Sequence, residues 1–181
     1  DAALKALSCV VNSEDIEAVI TAVRTMYLPW LENSARYLQQ VVDTQGYPGG
    51  TIQTAKPVEY EDGECVLFID GMRMDIAQRI ADDLKAKNIS VQESMVWTAL
   101  PSVTGTGKPA VSPVRSHIYG SDANVDFEPS ITETDQSLKG GYYFKKLMTD
   151  SEWTILETSE VGDVNHNAWC EYGDIDREGH D

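Results

Sequence analysis

The chain has 181 residues, 41% of them hydrophobic and 24% charged, enough for one domain with a real core. No stretch approaches the ~20 apolar residues of a membrane span, and no signal peptide is visible at the N-terminus. With 14 basic against 30 acidic residues the net charge is −16, which argues against nonspecific nucleic-acid binding by this segment, because affinity for a phosphate backbone comes from Lys and Arg displacing counterions.

The chain opens at Asp1 without a methionine, so it is expected to be a partial segment, and the missing signal then says little about the parent protein. Cys9, Cys65 and Cys170 are odd in number, far apart and without a CxxC pair. That pattern argues against a zinc ribbon and for reduced thiols in a cytoplasmic protein.

Residues 13–28 read as a helix capped by Ser13, with Glu14, Asp15 and Glu17 at the positive end of its dipole. Ile16, Val19, Ile20 and Val23 form its apolar stripe. Pro29 is expected to separate it from a second helix that buries Trp30, Leu31, Ala35, Leu38 and Val41 and ends at Gly46. Residues 1–45 thus read as a helical hairpin before an α/β part.

Cys65-Val66-Leu67-Phe68-Ile69 is an apolar run of strand length, suited to burial on both faces, and it stops at Asp70-Gly71. A helix is expected from Met74 to Lys87, broken by Asn88, followed by a second strand over Ile89–Trp97. Such a βαβ unit predicts a parallel sheet, with ligands at the carboxyl ends of its strands. Residues 115–135 read as a long polar surface loop, Leu138–Met148 as a helix, and Trp153–Leu156 and Ala168–Cys170 as short strands.

Three segments can carry chemistry. Asp70, just past a buried strand, is an oxygen ligand for zinc or a hard divalent metal; the alternative is an ordinary Asp-Gly turn. The segment Pro101–Pro109 sets three hydroxyls, two glycines and Lys108 between a strand and a short helix, where free N–H groups favour an anion. A threonine there can attack phosphorus if a metal lowers its hydroxyl pKa; the alternative is a solvated turn with a helix cap. A P-loop fails at both ends, with Ser102 in place of the first glycine and Pro109 in place of the Ser or Thr. Asp176 and His180, four apart, can converge on one metal. Alternatives are a charged tail, or an EF-hand loop from Asp174 that lacks an entry helix.

Taken in order, "LFIDGMRMDIAQRI", "WTALPSVTGTGKPAVSPV" and "AWCEYGDIDREGH" resemble the alkaline phosphatase superfamily, and most specifically the PglZ domain family of BREX-type phage-defence systems. The N-terminal "YLPWLENSARYLQ" resembles the segment preceding that domain, so the likeness covers nearly the whole chain. The resemblance implies an α/β fold with a mostly parallel sheet flanked by helices and an incomplete alkaline-phosphatase-like core. It divides the chain into an N-terminal helical segment and linker, 1–60, and the first part of the domain, 61–181. Asp70 then matches the first metal-binding aspartate, Thr104 the nucleophile that also ligates metal, and Asp176 and His180 the pair holding the other metal.

The implied cofactors are two divalent ions, zinc first and manganese second. Lys108 is a candidate phosphate contact. The family completes its site with a later Asp-His pair and a further histidine that this chain lacks, so the segment alone is expected to be inactive. His117 and His166 stand in no such motif, and His166 reads as a loop residue. The implied function is a phosphoesterase of anti-phage defence acting on a phosphoester, nucleotide or nucleic acid, with other defence proteins as partners and no membrane. The alternative is a non-catalytic scaffold or nucleotide-binding component.

Overall fold

The computed structural model describes residues 2–50, 52, 58–120 and 128–173. The chain divides into two units, Asp1–Pro48 and Gly49–Asp181.

The first unit contains α1 (Ala2–Ser8) and α2 (Ser13–Gln45). The cap of α2 is Asn12 rather than Ser13: the Asn12 side-chain oxygen accepts from the Glu14 N–H at 2.8 Å. Pro29 does not end a helix, and α2 runs through it for 33 residues. Proline's fixed φ is itself helical, so the ring removes one hydrogen bond, to the Thr25 carbonyl, and costs about 3 kcal/mol without forcing a turn. The hairpin is therefore a short helix on a long one, not two equal arms hinged at Pro29. The expected burial of the second arm does not hold either, since no α2 residue is fully buried and Trp30 is 60% exposed. A seven-residue helix cannot cover one about 50 Å long. Gly46, at φ +80°, ends α2 by donating its N–H to the Val42 carbonyl.

The second unit is α/β, with a parallel three-stranded sheet flanked by helices. Its elements are β1 (Cys65–Ile69), α3 (Met74–Ala86), α4 (Thr104–Val111), a 3-10 turn (Arg115–His117), β2 (Ile118–Tyr119), β3 (Ser130–Ile131), α5 (Tyr142–Asp150), β4 (Thr154–Leu156) and β5 (Ala168–Tyr172). The sheet order is β1-β5-β4, both pairings parallel, with Ile69 opposite Tyr172 and Leu156 opposite Cys170. Strands β2 and β3 form a separate antiparallel pair.

The parallel sheet is as expected, but its pairing is not. Ile89–Trp97 forms no strand, and β1 pairs with β5 instead. The run carries Gln92, Glu93 and Ser94 at its centre, with Glu93 drawn to Lys85 at 2.5 Å, and Met95 is 84% exposed. Ala168-Trp169-Cys170 is wholly buried and makes the better partner for an apolar strand. As an edge strand among the described residues, β1 is not buried on both faces, and Leu67 is 54% exposed.

Two further expectations shift. The 115–135 segment is no uniform surface loop, because Ile118 and Ile131 enter the core with Pro129 and Arg115. The helix expected from Leu138 starts only at Tyr142, since Gly140 and Gly141 take φ of +73° and +78°, outside the helical region.

The core centres on the fully buried Trp169 of β5. Phe68 of β1 stacks on it at 5.8 Å between ring centres, and Phe144 of α5 meets it edge-on at 6.0 Å. Such aromatic pairs add about 0.5–1.5 kcal/mol each beyond burial. They tie the strand that ends at Asp70 to β5 and to the helix beside α4.

Candidate functional site

Strand β1 delivers Asp70 to the carboxyl edge of the sheet. The Asp70 N–H donates to the Tyr172 carbonyl at 3.1 Å, carrying the β1–β5 ladder one step past the strand. Gly71 turns the chain away at φ +69°, a conformation that favours glycine.

Across the cleft, α4 begins at Thr104. Its N-cap, Val103, supplies no side-chain cap. The Thr104 hydroxyl does not turn back onto its own helix; it donates to Asp70 Oδ2 at 2.7 Å, across 34 residues of sequence. The helix-cap alternative thus fails for Thr104. The neighbouring hydroxyl holds the loop instead. Thr106 is buried, and its Oγ1 donates to the carbonyls of Pro101 and Val103, closing the loop onto the first turn of α4.

Lys108 lies one helical turn after Thr104, inside α4. Gly107-Lys108 therefore sits in a helix, not in a phosphate-cradling loop. The Lys108 ammonium donates to Glu171 Oε2 at 3.0 Å and lies 5.4 Å from the centre of the Phe144 ring. The other Glu171 oxygen accepts from Trp169 Nε1 at 2.9 Å. Glu171 belongs to none of the sequence motifs. Its one sequence signal is a lone carboxylate inside the apolar strand AWCEY, where an acidic residue needs a partner.

Asp70, Thr104 and Lys108, with Phe68, Thr98 and Ser102, line one open cleft of about 680 Å³. Two oxygens 2.7 Å apart suit a single divalent ion about 2 Å from each, so this donor pair fits part of a metal centre. Asp176 and His180, the other expected ligands, lie outside the described residues, as does the EF-hand alternative from Asp174. Among the described residues, no three His, Cys, Asp or Glu side chains form a group able to hold a metal. His166 sits in a turn, its Nδ1 3.5 Å from Asp163 Oδ2, and His117 ends the 3-10 turn. Also among the described residues, no helix is long and apolar enough to cross a membrane.

No protein-family model, curated protein or solved structure matches the chain.

Proposed function

We propose that the chain supplies part of a metal-dependent phosphoesterase site of the alkaline phosphatase type, similar to the PglZ domain of phage-defence proteins and working in the cytoplasm. The observation that carries this reading is the Thr104 hydroxyl donating to Asp70 at 2.7 Å at the carboxyl edge of a parallel sheet. Ligand sites favour that edge, and a hydroxyl oriented by a carboxylate rather than spent on its own helix is poised for attack.

In this reading Asp70 and Thr104 hold one divalent ion, zinc or manganese, and Asp176 and His180 a second; bound there, the ions supply positive charge that favours the alkoxide form of a hydroxyl. The residues of the chain do the rest. Asp70 Oδ2 aims Thr104 Oγ1 into the cleft and receives its proton. Oγ1 forms a bond to phosphorus as the bond from phosphorus to the ester oxygen breaks, leaving phosphothreonine. Water then hydrolyses that ester, releases the phosphoryl product and restores the hydroxyl. Lys108 faces the phosphoryl oxygens, and Glu171 and Phe144 fix its ammonium.

The test is hydrolysis of bis-p-nitrophenyl phosphate, with added zinc or manganese, by the longest natural polypeptide containing this chain. Metal-stimulated turnover that disappears in Thr104→Ala supports the enzyme. Turnover unaffected by Thr104→Ala, or none under any metal, leaves the scaffold or nucleotide-binding component as the better account.

A further inference from the structure

Thr104 and Lys108 line a second cavity as well as the Asp70 cleft, so the first turn of α4 forms a wall between them. This second cavity holds about 160 Å³. Its other walls are Pro109, Pro129, Leu138 and Phe144, closed by the Gly140-Gly141 turn. Glu128 and Lys139 stand at its margin, 3.9 Å apart.

Resting on the phosphoesterase reading above, we infer that this pocket receives a single-ring organic group of the phosphoester whose phosphorus lies at Thr104. The size carries the argument: an apolar cavity of about 150 Å³ is filled by one benzene ring, whereas drug-sized ligands need roughly 300 Å³ or more. The lining agrees, because prolines, a leucine and a phenylalanine offer flat apolar surface with little to hydrogen-bond a sugar or a peptide. The backbone agrees too. A Cβ built on Gly140 or Gly141 meets nothing within 4 Å, so the turn leaves open space that side chains there would occupy. Continuity with Thr104 decides the occupant, since a group in this pocket sits beside the hydroxyl that meets phosphorus on the other side of the wall. The pocket thus selects esters of one aromatic or pyrimidine-sized ring over alkyl esters and over fused double rings.

The inference is tested on the full 181-residue chain by titration followed by amide NMR, with zinc present. Methyl phosphate, phenyl phosphate, naphthyl phosphate and phenol are the probes. Phenyl phosphate is expected to bind about tenfold tighter than methyl phosphate, as burial of one ring implies. Its signal shifts fall on Leu138–Phe144, and naphthyl phosphate gains nothing more. Gly105→Leu, which adds bulk to the pocket wall, lowers the phenyl-to-methyl affinity ratio; the ratio is taken within one variant, so loss of folded protein cancels. Equal affinity for the methyl and phenyl esters overturns the pocket while leaving the phosphoryl site standing. Methyl phosphate shifts absent from Asp70 and Thr104 instead count against the phosphoryl reading alone. Phenol then decides the pocket: shifts over Leu138–Phe144 keep it, and their absence overturns it.

Discussion

Thr104 and Asp70 meet across 34 residues of sequence, hydroxyl to carboxylate at 2.7 Å, while Thr106, two residues on, turns inward and bonds only its own loop. Two hydroxyls of the same chemistry therefore have opposite roles, one facing the cleft and one holding the backbone that presents it.

Substitution separates them. Thr104→Ala is expected to change stability by about 0.5 kcal/mol, as for an exposed side chain, and to remove several orders of magnitude in phosphodiester turnover in the natural polypeptide. Thr106→Ala deletes a buried hydroxyl with two carbonyl partners and is expected to cost about 1–3 kcal/mol. Thermal melts and initial rates on both variants check this. Equal stability losses would show that Thr104 also serves mainly to hold the loop.

Lys108 and Glu171 form a partly buried pair, their side chains 20% and 29% exposed. A double-mutant cycle with Lys108→Met and Glu171→Gln is expected to give a coupling of about 1 kcal/mol in urea denaturation. In the assay, Lys108→Met is expected to raise KM about tenfold, the loss of one charge-assisted contact to phosphate. A KM that stays put while stability falls would make Lys108 a core tether and nothing more.

Tyr60 gives a pH dependence of defined sign. Burial, reinforced by the Glu64 carboxylate and opposed by Arg115, holds its phenol above the ordinary value of about 10. The hydroxyl donates to the Val111 carbonyl at the end of α4, and the ring meets Trp153 edge-on. A raised folded-state pKa means that the stabilisation is complete below pH ~10 and is lost as pH rises through the folded value. Wild type is expected to exceed Tyr60→Phe by about 1 kcal/mol at pH 7, and the gap to narrow above pH ~10. A gap in the urea midpoints that stays constant to pH ~11.5 would contradict this.

The three cysteines are expected to react unequally. Cys9 and Cys65 are exposed, whereas Cys170 is buried in β5 and its thiol is pushed up, chiefly by burial. A thiol held protonated and covered reacts slowly. Titration with a chromogenic disulfide at pH 8 should consume two thiols at once and the third only after denaturant is added; three fast thiols would place β5 at the surface.

The elements that the sequence determined by itself are those with a purely local cause. Cys65–Ile69 becomes a strand because five consecutive apolar residues need cover, Asp70-Gly71 ends it, and Asn88 ends α3 at φ +61°. Thr154–Leu156 and Ala168–Tyr172 follow from the same kind of run. The position of Asp70 at a strand's carboxyl end was legible for that reason. Tertiary structure alone decided which strand lies beside β1, since pairing compares distant segments, and a run interrupted by Gln92, Glu93 and Ser94 loses to a buried Ala168-Trp169-Cys170. It also decided which of two threonines faces the cleft, and that Lys108 finds Glu171. Those outcomes depend on the angle at which α4 meets the sheet, and that angle is set by side chains from β1, β5 and α5 packing around Trp169, a relation that no window of neighbouring residues contains.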